Sequence, residues 1–151
     1  MAPGIPSQAH SSAASEIRIA NNMDEIARVA ELVGSFGADN RLSNEVVIAL
    51  NVSLDEILNN IISYAYADAD RHDILVRLEL RSGKVDVVVE DDGKPFDPLL
   101  APAPDLTAKD RLGGVGLHFV RNLMDELEYA RCDGINRLRM MKKLSMKQPD
   151  E

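Results

Sequence analysis

The sequence predicts an α+β fold, a two-layer sandwich with helices on one face of a mixed, mostly antiparallel sheet. Three observations predict it. Two pairs of extended segments are each joined by a short Gly-containing turn, at Arg81-Ser82-Gly83-Lys84 and at Asp133-Gly134, which is hairpin chemistry. Three other segments repeat apolar residues at helical spacing. The elements run β, α, α, β, β, loop, α, β, β, so hairpins are interrupted by helices and do not alternate strand by strand as in a parallel sheet.

The bulk composition is that of a single globular domain. A chain of 151 residues can bury about 70% of the surface that it exposes unfolded. At 45% hydrophobic, 28% charged and 4% aromatic with no Trp, its core has to be mainly aliphatic. The net charge of −8 argues against nucleic acid or an anionic membrane as the main partner, since affinity for phosphates comes largely from Lys and Arg. One cysteine, Cys132, leaves no intrachain disulfide and points to a reducing, cytoplasmic setting. His10, His72 and His118 show no metal-ligand spacing. Met1–Ser15 lacks the pattern of a signal peptide, and no run approaches a transmembrane length.

Residues 1–15 are rich in Ala, Ser, Pro and Gly and read as a disordered leader. Glu16–Ala20 alternates as a short strand. Asn22, with Glu25 as reciprocal partner, caps a helix whose stripe is Ile26, Val29, Ala30 and Val33; Gly34 and Gly37 mark its end, and Phe36 packs over it. Ser43 caps a longer helix running to about Ala67. Ile74–Leu80 and Val85–Asp91 are partner strands, and the alternation of the second turns Asp91 inward and Asp92 outward. Asp97–Leu112 is a Pro-rich loop of the length expected of a lid or of a disordered connection. A further helix starts at Gly113-Gly114-Val115-Gly116, with Leu117, Val120, Leu123 and Met124 as its apolar face. Glu128–Arg131 and Arg137–Lys143 close the sheet, leaving 16–144 as the domain and 145–151 as a flexible tail.

Three stretches carry polar residues that packing does not require. On the long helix, Leu54, Ile57, Leu58 and Ile61 form the buried stripe, while Glu56 and Asn60 stack one turn apart at its rim, where a pocket wall would stand. In Asp91-Asp92-Gly93-Lys94-Pro95-Phe96-Asp97-Pro98 an inward carboxylate is followed by a glycine that permits close approach. In Gly113-Gly114-Val115-Gly116-Leu117, glycines before a helix leave free N–H groups at its positive end. No Gly-Lys-Ser/Thr follows, so this is not a Walker loop. Taken singly, each stretch is better read as a solvated helix face, a turn or a plain helix start.

In this order and spacing the three resemble the N, G1 and G2 boxes of the GHKL ATPase superfamily, whose common architecture is the Bergerat ATP-binding fold. More narrowly, Asp92–Pro98 and Gly113–Leu117, continuing Val120-Arg121-Asn122-Leu123-Met124-Asp125-Glu126, are similar to the anti-sigma-factor serine/threonine kinases of the RsbW and SpoIIAB type. The resemblance covers about Ile17 to Leu144 and implies ATP and Mg²⁺ as cofactors. It makes Asn60 the Mg²⁺ ligand, Glu56 the general base and Asp91 the acceptor for the adenine amino group. Gly93 would leave room for the base. Gly113, Gly114 and Gly116, with Leu117 behind them, would cradle the phosphates, and Arg111, with Lys109 as a weaker candidate, would neutralise charge. It further implies phosphorylation of a STAS-domain anti-anti-sigma protein, alternative binding of a sigma factor, and a homodimer, without direct nucleic-acid or membrane contact.

Two positions depart from the pattern. Pro95 replaces the second glycine of the broader superfamily, as is usual in the narrower group. Arg137-Leu138-Arg139-Met140 has no Thr where many relatives place one to support the adenine-binding Asp, so Asp91 is expected to rely on Ser63 or a water. The competing reading is a nucleotide-binding module that sequesters a partner without kinase activity. The ATPase half of a histidine kinase is disfavoured, because the chain has no room for a phosphoacceptor hairpin and the lid is short.

Overall fold

The computed structural model describes residues 13–97 and 112–144, with the backbone alone for 112–116. Strands β1 (Ala13–Ala20), β2 (Asp73–Arg81), β3 (Lys84–Asp91), β4 (Glu126–Cys132) and β5 (Ile135–Lys143) form one sheet in the order β1-β2-β3-β5-β4. Every pairing in it is antiparallel. Each tight hairpin is set by two consecutive residues of positive φ: Ser82 (55°) and Gly83 (77°), then Asp133 (53°) and Gly134 (80°). That handedness matches the twist of the strands it joins, which fixes both registers. Strands β1, β4 and β5 begin earlier than alternation alone suggests, at Ala13, Glu126 and Ile135. Hairpin pairing carries β5 and β4 right up to their turn, where the side chains no longer alternate.

Helices α1 (Ile26–Asp39), α2 (Asn44–Tyr64) and α3 (Leu112–Leu123) cover one face of the sheet. Ile74, Val76 and Leu78 of β2, Val85, Val87 and Val89 of β3, and Leu138 and Met140 of β5 all turn to that face and are buried. Against them lie Val29, Val33 and Phe36 of α1, Leu50, Leu54 and Leu58 of α2, and Leu117 and Val120 of α3. Each such side chain removed from water contributes about 1.5–3 kcal/mol. The opposite face carries charge: Arg77 pairs with Glu16 at 3.3 Å and Arg137 with Glu90 at 3.4 Å. Arg139 lies 2.8 Å from Asp86, a charge contact without hydrogen-bond alignment, and 3.2 Å from Glu128. The exposed pairs add little individually, whereas Asp86 is buried against Arg139.

The helix ends differ from the sequence expectation. Asn22 caps a single 3₁₀ turn, Met23–Glu25, by accepting from the Asp24 N–H at 2.8 Å. The Asn22 N–H is already held by the Ala20 carbonyl, so Glu25 reaches back to the Ala20 N–H at 3.1 Å and the box is not reciprocal. Helix α1 passes through Gly34 and Gly37 and stops at Asp39. A Cβ on Gly37 would sit 2.6 Å from a Val47 methyl, so this glycine serves the crossing of α1 and α2. The stop comes from Asn40, whose side chain donates to the Phe36 carbonyl at 2.8 Å, and from Arg41 at φ 56°. Ser43 caps α2 as expected, accepting from the Val46 N–H at 3.2 Å. Helix α2 ends at Tyr64, short of Ala67, and is the one described segment long and apolar enough to cross a membrane by length and composition, with a mean hydropathy of 1.4. Here Leu50, Leu54 and Leu58 make it the central core helix.

Candidate functional site

The rim of α2 presents Glu56 and Asn60, both half-buried. The Asn60 Nδ2 donates to Glu56 Oε2 at 2.8 Å, an i,i+4 bond that orients both side chains. Among the described residues, Asn60 Oδ1 and Glu56 Oε1 have no hydrogen-bond partner. Burial raises the Glu56 pKa above the usual carboxylate value, the bond from Asn60 opposes this, and the neighbouring Asp55 adds to it. A carboxylate poised to take up a proton, beside an amide oxygen free to coordinate, is the arrangement needed at a hydroxyl about to be deprotonated.

Beyond the C-terminus of α2 lies the turn that follows β3. The Lys94 N–H donates to the Ala65 carbonyl at 2.9 Å, which ties this turn to the end of the helix. Asp91 is the last inward residue of β3 and only 7% exposed, as strand alternation predicts. Its Oδ1 accepts from the Gly93 N–H at 2.8 Å and from Asn136 Nδ2 at 2.9 Å. Burial is the largest influence on its pKa and raises it; the bonds from Asn136 and Gly93 pull it back, Asp92 raises it and Arg131 lowers it. The support for Asp91 is therefore Asn136, not Ser63, which is solvent-exposed at the end of α2. Asn136 is the residue that pattern reading missed. Its position was accessible by counting: the Asp133-Gly134 turn and the β3–β5 register place it directly opposite Asp91.

Gly93 has a different reason from the one expected. A Cβ there would lie 2.5 Å from the Ala65 Cβ and 2.7 Å from the Ala65 carbonyl oxygen. The glycine is what allows the turn to sit on the helix end. Asp92 points outward, as predicted, and meets His72. The His72 ring lies between Asp68 (Nε2 to Oδ1, 2.7 Å) and Asp92 (Nδ1 to Oδ1, 3.1 Å), stacked on Tyr66 at 4.2 Å between centroids. The hydrogen bond to Asp68 is the main cause that raises the His72 pKa, with Asp92 adding and burial opposing.

Gly113, Gly114 and Gly116 lie inside α3 and not ahead of it. The N–H groups of Leu112, Gly113 and Gly114, in its first turn, thus have no acceptor within the helix. Helix α3 packs against α2, the helix that carries Glu56 and Asn60. Leu117 is a core residue, 3% exposed, and has only its backbone to offer a ligand. Arg111, Lys109 and residues 98–111 of the expected lid lie outside the described residues, as do most of the leader and the tail. Among the described residues no three His, Cys, Asp or Glu side chains gather as a metal cage.

Residues 19–142 match the family of histidine kinase-like ATPase domains. The chain is 35% identical over 103 residues to the serine/threonine-protein kinase BtrW of Bordetella bronchiseptica, covering 65% of this chain and 71% of that protein. It is 29% identical over 93 residues to the serine-protein kinase RsbW of Bacillus velezensis, of which it spans 58%. Among solved structures it superposes with a TM-score of 0.67 on the RsbU and RsbW domains of a Mycobacterium tuberculosis protein, at 16% identity, covering 89% of this chain and 33% of that one. A blue-light activated histidine kinase of Erythrobacter litoralis gives a TM-score of 0.54 at 22% identity, with 70% and 33% covered. Both structures share the fold, and the family match extends from β1 to β5. The chain therefore belongs to the histidine kinase-like, or GHKL, ATPase family, alongside serine/threonine-protein kinases of the RsbW and BtrW kind.

Proposed function

We propose that this protein is an ATP- and Mg²⁺-dependent serine/threonine protein kinase that acts as an anti-sigma factor in a partner switch, its substrate a STAS-domain antagonist. The observation that carries the reading is the Glu56–Asn60 pair, one helical turn apart and hydrogen-bonded at 2.8 Å, on the helix whose end holds the Asp91 turn. The residues present fit the cofactors. Asp91 keeps Oδ2 clear of described hydrogen-bond partners for a base amino group, and Asn60 keeps Oδ1 for a cation held mainly by phosphate oxygens. Bound Mg-ATP would supply the γ-phosphoryl group and neutralise its developing charge.

In that mechanism Glu56 accepts the proton of the incoming serine or threonine hydroxyl, a role typically worth about 10²–10⁴ in rate. Asn60 holds Glu56 in place through its Nδ2 while offering Oδ1 to the metal. The free N–H groups that open α3, from Leu112 to Gly114, would be donors for the phosphates, and Arg111 would supply positive charge. In cells we place the protein in the cytoplasm as a homodimer that binds either the antagonist or a sigma factor.

The test is transfer itself. The protein is mixed with Mg-ATP and STAS-domain proteins of the same genome, and the products are searched by mass spectrometry for phosphoserine or phosphothreonine. Transfer by the parent that is lost in Glu56→Ala is the expected result. Nucleotide binding without transfer to any candidate would instead identify a module that sequesters its partner.

A further inference from the structure

Asp91, Asn136 and Arg131 occupy one rung of the sheet, on β3, β5 and β4, and their side chains share the helix-facing side. Asn136 stands between a carboxylate and a guanidinium. Its Nδ2 donates to Asp91 Oδ1 (2.9 Å), to the Gly93 carbonyl (3.2 Å) and to the Lys94 carbonyl (3.0 Å). Its Oδ1 accepts from Arg131 Nη1 at 2.8 Å and from the Tyr129 hydroxyl. Arg131 Nη1 also donates to the Gly93 carbonyl at 3.0 Å.

The chemistry of the rung calls for a neutral group that donates on one side and accepts on the other, and the Asn136 amide does both. A carboxylate at 136 would repel Asp91, an ammonium would repel Arg131, and an aliphatic side chain would leave a 7%-exposed carboxylate with one backbone donor. Both bonds to Asp91 fall on Oδ1; none from the described residues reaches Oδ2. Asn136 and Gly93 thus fix the carboxyl plane, committing one oxygen to the protein and presenting the other.

We propose that Asn136 is a positioning residue for the nucleotide base, holding Asp91 ionised and oriented, and that Arg131 couples the tip of the β4–β5 hairpin to the same carboxylate. This deepens the kinase reading and rests on it for the identity of the base. Arg131 is exposed at the surface, so whatever contacts the hairpin there can alter nucleotide affinity through a single intervening side chain. Among the described residues, the charged and titratable groups around Asp91 and its amide partner include Asp92 beside it on β3, Arg131 and Tyr129 from β4, Tyr66 from the segment after α2, and His72, which bonds Asp92. Asp92 and Tyr66 do not contact Asn136 and stay constant in the variants below.

The experiment follows the Asp91 carboxyl directly, by ¹³C NMR titration of the nucleotide-free protein, and in parallel the pH dependence of Mg-ATP binding. In Asn136→Ala the Asp91 midpoint should rise by about one pH unit, as expected for losing a hydrogen bond to a charged group. ATP affinity near neutral pH should fall about tenfold, and its loss on acidification should begin at correspondingly higher pH. In Arg131→Gln, at an exposed position where folding is not at risk, the midpoint should rise by a smaller amount in the same direction. An unmoved midpoint in both variants overturns the proposal, as does an ATP defect that is uniform across pH. Should Asn136→Ala fail to fold, Arg131→Gln decides alone. A parent that binds no ATP, while its Asp91 midpoint still moves in the variants, defeats the kinase reading and leaves the coupled rung standing.

Discussion

Replacing Gly93 with alanine separates two reasons for a glycine in the turn after β3. If the residue is small to admit a ligand, Gly93→Ala should impair nucleotide binding and leave stability alone. The geometry predicts otherwise. The new methyl would sit 2.5 Å from the Ala65 Cβ and 2.7 Å from the Ala65 carbonyl oxygen, and the second of these is backbone that cannot rotate aside. Overpacking of this kind costs about 1–3 kcal/mol. Relief by moving the turn also breaks the bond from the Lys94 N–H to the Ala65 carbonyl, worth about 1 kcal/mol more. A total of about 2–4 kcal/mol is a large part of the about 5–15 kcal/mol that holds a domain folded. Urea denaturation measures it, with Mg-ATP titration alongside. Ala65→Gly in the same chain removes the Cβ clash and not the carbonyl clash, so the double variant should recover part of the loss and not all. Unchanged stability in Gly93→Ala would refute the packing argument, as would full recovery in the double variant.

Two other glycines provide contrasts. Gly34 is exposed within α1 and a Cβ there meets nothing within 4 Å, so Gly34→Ala should stabilise by about 0.5–1 kcal/mol through helix propensity, read as a higher urea midpoint. Gly37→Ala would press a methyl to 2.6 Å from a Val47 Cγ, and a helix holds that β-branched side chain stiffly, so overpacking should outweigh the propensity gain and destabilise by about 1–2 kcal/mol net, read as a lower urea midpoint. His72 gives a pH signature. Its folded pKa is raised above 6.5, chiefly by Asp68, so its contribution is fully present below that value and is lost as pH rises through the higher folded value. The stability gap between parent and His72→Gln should therefore be wider in mild acid than above neutrality. A gap of constant size across the titration would show that the Asp68–His72–Asp92 clamp is not charged.

Much of this arrangement was legible because it is periodic or local. The inward turn of Asp91 and the outward turn of Asp92 follow from strand alternation, since Val85, Val87 and Val89 must face the helices. The stacking of Glu56 on Asn60 follows from helical geometry, and the hydrogen bond between them is its direct consequence. Both hairpins announce themselves through a glycine preceded by a residue that tolerates positive φ. Helix ends were read less well for a physical reason. Gly37 looks like a stop signal in sequence, yet the crossing with α2 at Val47 explains it, and the stop falls to Asn40 and Arg41.

What escaped pattern reading depends on which residues meet across the fold. Asn136 lies 45 positions from Asp91, and nothing in its own neighbourhood marks it as more than a strand residue after a turn. Reading the last strand for a hydroxyl, from Arg137 to Met140, searched for the chemistry of one side chain at the wrong rung. Register supplies the better question, which is what stands opposite the buried carboxylate, and the answer must be a group that can donate to it. Only afterwards does Arg131 acquire a role, because an amide that donates on one side has an oxygen to satisfy on the other. A buried carboxylate at a strand end thus constrains two further positions, one on each successive strand, and the second of them carries the constraint out to the protein surface.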